Sequence, residues 1–504
     1  MSSSQITINR NFEISEIDPR VYGSFAEHMG RCIYEGIYEP DSEFADEDGL
    51  RTDVIELVKE LGVTMVRYPG GNFLSGYDWK DGVGPQSERP KRLDLAWHSL
   101  ESNQFGFDQF MVWCKKAGVE PMMAMNLGSA GLREALELLE YCNVDADSKW
   151  ANYRVENGKK SPYDVKVWCL GNEMDGPWQL GHKTAEHYAT LASDVARGMR
   201  QIDENVELVV CGSSNRAMPT FGQWEETVLE NSYDFVDHIS LHTYYQDHGN
   251  TQEFLLCSTD LDSFIDEVCN IADAVKAKRR SDKTITLSLD EWNVWEMSAY
   301  QDLGRADSWE LAPRVIEDEY DVADAIVVGN LLISILRRSD RVKIACLAQL
   351  VNVIAPIRAE KGHPAWRQTT FFPFAYTARY GKGKTLITRI DSPKITTEKY
   401  GSVSALDAIC TYDQGSNSAA LFMVNRSLTD SHTTEIDLVG FRDITVVEQV
   451  TITDTNLKRT NNLEVGEAVQ PSKDITAAVK DGKIQVTLPP ASWQMVRVSL
   501  NEMG

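Results

Sequence analysis

Two apolar runs of β-forming residues stop at a glutamate. Val165-Lys166-Val167-Trp168-Cys169-Leu170 leads into Gly171-Asn172-Glu173, and Thr284-Ile285-Thr286-Leu287-Ser288-Leu289 leads into Asp290-Glu291-Trp292-Asn293. Both runs read as buried strands. A carboxylate is a costly end for such a strand unless the acid is wanted at its rim. Two strands of the same kind ending in acids suggest a facing pair. Facing carboxylates suit the cleavage of a glycosidic bond: one protonates the departing oxygen, and the other attacks the sugar carbon or activates a water.

Polar residues close the neighbouring apolar runs as well. Asn172, just before the first acid, can hold a sugar 2-hydroxyl by a bond that tightens in an oxocarbenium-like transition state. His242-Thr243-Tyr244-Tyr245 can bring the Tyr244 phenol against the attacking carboxylate and help keep it ionised. In Arg67-Tyr68-Pro69-Gly70-Gly71-Asn72, Arg67 can orient a carboxylate by a charge-assisted bond. The glycines let the chain turn so that Asn72 faces a cleft. Glu27 adds a third rim carboxylate, Gln349 follows the last run, and Trp97 and Trp178 can serve as sugar-stacking platforms. Plainer readings exist for each: a rim ion pair for Glu291, packing for Arg67 and Tyr244, core filling for the tryptophans. No metal is expected, because no histidines stand at ligand spacing around Glu27-His28. Gly383-Lys384-Thr385 copies the end of a phosphate-binding loop, but Ala378 stands where its opening glycine belongs. No cofactor is expected.

These residues need a frame that gathers strand ends. Strand-like runs fall at 20–25, 64–68, 121–125, 165–170, 207–211, 238–242, 284–289 and 342–347. Amphipathic helices separate several of them, over 53–61, 185–202 and 320–337. The first has Thr52 as its expected cap and Gly62 as its stop. Eight strands with helical crossovers predict an α/β fold, a (β/α)8 TIM barrel whose site lies at the C-terminal strand ends. Beyond Tyr380-Gly381-Lys382-Gly383 the pattern changes to short Val-, Ile- and Thr-rich runs at 434–438, 444–453, 483–488 and 494–500. Polar turns punctuate them, which predicts an antiparallel β-sandwich, jelly-roll-like. The strand-like stretch 4–15 can pair with it. The expected division is a barrel over 17–382 and a sandwich made of 1–16 and 383–504, tightly packed together.

Bulk properties narrow the function further. A length of 504 residues suits a large barrel with a smaller second core. A net charge of −26 repels phosphate backbones and anionic membranes, so neither nucleic acid nor a membrane is an expected partner. A neutral sugar chain does not feel this field. Nine scattered cysteines without a CxxC pair predict neither a disulfide framework nor a zinc ribbon. The first fifteen residues lack an apolar core, and no stretch is long enough to span a bilayer, so a cytoplasmic location is expected.

The motifs Arg-Tyr-Pro-Gly-Gly-Asn at 67–72, Gly-Asn-Glu-Met-Asp-Gly-Pro-Trp at 171–178, His-Thr-Tyr-Tyr at 242–245, Asp-Glu-Trp-Asn at 290–293 and Ala-Gln-Leu-Val-Asn at 348–352 resemble glycoside hydrolase family 51. The family consists mostly of α-L-arabinofuranosidases, and the resemblance covers essentially the whole chain. It implies a barrel with the acid/base after strand four and the nucleophile after strand seven, and a sandwich completed by the N-terminal segment. Matched motif by motif, Glu173 resembles the acid/base and Glu291 the nucleophile. Glu27, Asn72, Asn172, Tyr244 and Gln349 match positions that hold the arabinofuranose ring. The resemblance also implies a metal-independent, intracellular homo-oligomer, a hexamer, acting on arabinofuranosyl oligosaccharides in arabinan degradation. The function expected is a retaining, exo-acting α-L-arabinofuranosidase. An endo-acting β-glycanase of the same clan and a non-catalytic carbohydrate-binding barrel are the alternatives, and the second has no need of a paired acid and nucleophile.

Overall fold

The computed structural model describes residues 2–303 and 308–502. Eight strands form a closed barrel: β1 (Gly23–Phe25), β2 (Met65–Tyr68), β3 (Glu120–Ala124), β4 (Val167–Leu170), β5 (Glu207–Val210), β6 (His238–Tyr245), β7 (Thr286–Val294) and β8 (Val342–Ala348). Every neighbouring pair is parallel, from β1 beside β2 round to β8 beside β1. Each of the eight apolar runs becomes one of these strands. The first run loses its opening residues to a short 3-10 turn, Pro19–Tyr22, set by the proline that starts it.

Two of the three expected crossover helices, Thr52–Leu61 and Ala185–Ile202, show the expected apolar stripe, and the third does not. Thr52–Leu61 buries Val54, Ile55, Leu57, Val58 and Leu61 against the barrel, and Gly62 ends it at φ 81°. Its expected cap is not the observed one. Arg51 holds the cap position with extended backbone, and the Thr52 hydroxyl instead donates to the Phe44 carbonyl at 2.9 Å. Val322–Arg337 is buried along nearly its whole length, capped by Asp321. It lies between the two domains, which explains why its apolar residues run all round rather than on one stripe. An added Cβ at Gly329 would collide with the Trp493 indole, so glycine is what lets this helix approach the second domain. The Asn330 amide donates to Asp407 across the same contact at 2.7 Å.

The second domain is a nine-stranded sheet. Its buried face gathers Ile6, Leu421, Ile436, Ile484, Val486 and Val498. The N-terminal strand Ser2–Glu16 sits inside this sheet, antiparallel to Lys384–Asp391 and parallel to His432–Val439. That parallel pair departs from the antiparallel pattern. Strand 2–16 arrives from the barrel end of the chain rather than through a hairpin, so no turn dictates its direction. All nine cysteines are buried and free, as their places in apolar elements suggest.

Candidate active site

The C-terminal ends of the barrel strands open into a cavity of about 1050 Å³ lined by Glu27, Asn72, Trp97, Glu173, Trp178, Tyr244, Glu291 and Gln349. Glu173 follows β4 by three residues, with its backbone at φ 43° after Gly171 at φ 98°. The left-handed turn swings the acid away from the strand line and into the cavity. Glu291 stands within β7, which runs on to Val294 rather than stopping at Leu289. In a regular strand Asp290 and Glu291 would face opposite sides. The pairing of β7 with β6 slips between Ser288 and Glu291, and this irregularity brings both carboxylates to the barrel interior.

Arg67 and His242 organise the acids. Arg67 Nη1 donates to Glu291 Oε1 at 2.8 Å and Nη2 to Asn172 Oδ1 at 2.6 Å, while Nε lies 3.6 Å from Asp290. The Tyr244 hydroxyl donates to Glu291 Oε2 at 2.8 Å. His242 Nδ1 is 2.9 Å from Glu173 Oε1 and Nε2 is 3.1 Å from Asp290 Oδ1. The half-exposed Trp178 donates its indole N–H to Glu173 Oε2 at 2.6 Å. An oxygen of Glu173, an oxygen of Glu291 and a ring nitrogen of His242 lie within 4.8 Å of one another.

These contacts set the charges. Burial alone would lower the His242 imidazole, but Glu291, Asp290 and Glu173 hold it well above its ordinary range. It therefore stands as an imidazolium that donates from both nitrogens. Burial works against the Asp290 charge too, yet Arg67 and His242 keep its carboxyl below the usual carboxylate range. Burial raises the Glu291 carboxyl against the pull of His242 and Arg67, and the neighbouring Glu173 adds to the rise.

Glu27 sits at the other side of the cavity. Its Oε1 accepts from the Phe73 backbone N–H at 3.0 Å and from the Trp97 indole at 2.9 Å, and its Oε2 accepts from Gln349 at 3.1 Å. Trp97 reaches it from the turn of a hairpin, Arg92–Asp94 with Ser99–Glu101. Burial pushes the Glu27 carboxyl up to about 8, against the Phe73 N–H and with the Glu291 charge adding to the rise. The folded protein therefore holds this proton where the unfolded chain, at an ordinary 4.5, has lost it. Stability is then expected to fall as pH rises between those two values, by a few kcal/mol from this group. Urea unfolding at pH 5 and pH 8 checks it: Glu27→Gln should flatten the decline, and equal declines in variant and wild type would contradict the assignment.

Of the residues singled out in the sequence, all converge here. Arg67 and Asn172 are fully buried behind the carboxylates rather than on the cavity wall, and the others line it. His242 and Asp290 were quoted in the motifs without a role, and the structure makes them the charged bridge between the two acids. Their signal was proximity: Asp290 directly precedes Glu291, and His242 opens the run that carries Tyr244. A parallel barrel with paired carboxylates, aromatic donors and amides around one cavity at its C-terminal rim is the architecture of a glycoside hydrolase.

Comparison with known proteins agrees. Residues 57–261 match the family model for the α-L-arabinofuranosidase 1 domain, and 290–492 that for the α-L-arabinofuranosidase C-terminal domain. An intracellular exo-α-(1→5)-L-arabinofuranosidase of Streptomyces lividans is 50% identical over 99% of this chain and 75% of its own. An exo-α-(1→6)-L-arabinofuranosidase of Bifidobacterium longum is 49% identical over 99% of this chain and 98% of its own. Among solved structures, a family 51 α-L-arabinofuranosidase from Bifidobacterium longum superposes with a TM-score of 0.95 at 46% identity, covering 99% of each chain. The arabinose complex of the Thermotoga maritima α-L-arabinofuranosidase gives 0.88 at 31%, covering 99% of this chain and 100% of its own. The chain belongs to the family 51 α-L-arabinofuranosidases. Among the described residues no helix is long and apolar enough to cross a membrane.

Proposed function

We propose that the protein removes terminal L-arabinofuranose from short arabino-oligosaccharides by double displacement. Glu291 attacks the anomeric carbon while Glu173 protonates the departing oxygen, and Glu173 then takes a proton from the water that frees the sugar. The observation that carries this reading is the spacing of the pair. Carboxylates in retaining enzymes stand about 5–5.5 Å apart and those of inverting enzymes roughly 6.5–9.5 Å. One oxygen of Glu173 and one of Glu291 lie within 4.8 Å of one another, which supports the shorter, retaining separation. Arg67 and Tyr244 donate to Glu291 and favour its charge, while the cavity-facing Glu173 meets the leaving side.

Glu27, Asn72, Gln349 and Trp97 hold the terminal ring in this reading, with Asn172 and Arg67 fixing the carboxylates from behind. Relatives named for both 1→5 and 1→6 linkages share the same level of identity, so the inner pocket is read as common to both and the outer cleft as the part that sorts linkages. The relatives named intracellular support a cytoplasmic location. The division into a barrel over 17–382 and a sandwich of 1–16 with 383–504 is part of the same proposal, supported by the strand pairing of 2–16. So is a homo-oligomer, a hexamer by the family resemblance. A light-scattering mass well above the 56.7 kDa of one chain is expected, and a monomer stable across concentrations would remove that part.

Product stereochemistry tests the mechanism. Proton NMR of a fresh reaction should show the α-anomer of L-arabinofuranose appearing first and the β-anomer only as mutarotation proceeds. First appearance of the β-anomer would rule out double displacement.

A further inference from the structure

The cavity is larger than one terminal pentose requires. Pockets that enclose a whole drug-sized ligand run from about 300 to 1,000 Å³, and this one reaches about 1050 Å³. Part of its lining lies outside the barrel: with Glu173 and Trp178 it takes in Asn215 and Arg216 after β5, Asn250 and Glu253 after β6, and Lys399 and Tyr400 of the second domain. Glu27, Asn72 and Gln349 follow β1, β2 and β8, across the barrel mouth from β4, β5 and β6.

Lys399 and Tyr400 belong to a hairpin, Lys394–Thr397 with Gly401–Ser404, that stands apart from the nine-stranded sheet and pairs only with itself. The sheet does not need it. The strands on either side, Lys384–Asp391 and Leu406–Asp413, pair directly with each other, and no residue of the hairpin belongs to the buried cluster of the second domain. An excursion of this length that adds nothing to the sheet core calls for a use at its tip.

The tip is held against the barrel. The Lys399 backbone N–H donates to Glu253 at 3.2 Å, and outside the hairpin the second domain meets the same loop where Gln252 donates to the Arg426 carbonyl at 2.8 Å. Lys458 reaches Asp247 at 3.4 Å in the same loop after β6. Within the wall, Arg216 is fixed by Asp260 and Glu267, both at 2.6 Å, and Tyr245 donates to Asp260 at 3.0 Å. Tyr400 is half-buried, and the Lys399 ammonium lies 5.1 Å from its ring centroid. Aromatic rings beside amides and fixed charged groups suit a neutral, hydroxyl-rich chain, which offers C–H faces to the ring and hydroxyls to the polar groups.

We propose that this hairpin completes the leaving-group side of the cleft, and that Tyr400 and Lys399 bind the second and third sugars of a neutral oligosaccharide whose terminal residue lies between Glu173 and Glu291. The proposal rests on the glycosidase reading of those two acids. It gives the second domain a part in substrate choice, through a barrel-facing hairpin and not through a separate carbohydrate-binding face. Binding energy gained so far from the scissile bond is realised with long leaving groups and lost with short ones.

The test compares kcat/KM on a linear arabinotriose with kcat/KM on an aryl arabinofuranoside, whose leaving group is too short to reach the hairpin. Tyr400→Ala should lower the ratio of the two about tenfold, the loss of one aromatic contact and one hydrogen bond. Tyr400→Phe should recover most of it, and Lys399→Ala, at an exposed position, should lower it in the same direction. Thermal melting of each variant reports folding separately. An unchanged ratio in folded Tyr400→Ala and Lys399→Ala would overturn the proposal, and so would equal losses on both substrates. Failure of the wild-type protein to release arabinose from the aryl substrate would instead refute the glycosidase reading.

Discussion

Glu291→Ala is expected to abolish turnover on every arabinofuranoside, whatever its leaving group. Without the carboxylate no glycosyl ester forms, and both steps of the double displacement vanish together; a loss of about 10⁴-fold or more is the scale for removing a nucleophile. The fold should survive. Arg67 keeps its bond to Asn172 and its approach to Asp290, so the guanidinium is not stranded when Glu291 is removed. Initial rates on aryl and natural arabinosides, with melting curves alongside, decide it. Substantial residual activity on the activated substrate in a folded variant would show that another group attacks the sugar.

Glu173→Ala should behave differently, and the difference carries the division of labour. The nucleophile remains, so an aryl arabinoside with a good leaving group still arabinosylates Glu291 without acid assistance. A natural glycoside needs its oxygen protonated and should lose about 10²–10⁴-fold, the usual worth of general acid catalysis. The second step now lacks its base, so the arabinosyl-enzyme accumulates. Added azide, which needs no deprotonation, should restore turnover and yield an arabinosyl azide. Identical leaving-group dependence in the Glu173 and Glu291 variants would contradict the assignment of roles. The same outcome would leave the charged bridge through His242 unexplained as a catalytic device, since it touches Glu173 on one side and Asp290 on the other.

The barrel and both acids were legible in the sequence for a single reason. Buried parallel strands read as apolar runs, and an acid that ends such a run has few structural uses. Glu173 and Glu291 stood out in this way, and Tyr244 and Arg67 followed as their natural partners. Asp290 was harder because alternation along a regular strand places it on the wrong face. Only the slip in pairing beside Ser288, a tertiary feature, turns it inward. Asn172 illustrates the opposite limit: its place next to the acid was plain, but its burial beneath Arg67 depends on a residue far away in sequence. The Thr52 cap failed because residue type alone cannot show that Phe44 lies within reach of its hydroxyl. The hairpin at Lys394–Ser404 carries no motif that marks it in the sequence, because its place against the loop after β6 depends on how the second domain packs on the barrel.

The central claim is a covalent arabinosyl-enzyme on Glu291. Its most direct test is to mix Glu173→Ala with an activated aryl arabinofuranoside, quench in acid during the steady state, digest, and locate the added pentosyl group by peptide mass spectrometry. The account predicts one added group per chain, on the peptide carrying Glu291, and its disappearance when azide is present. An adduct on Glu27 or any other side chain, or aryl release with no adduct at all, would contradict it.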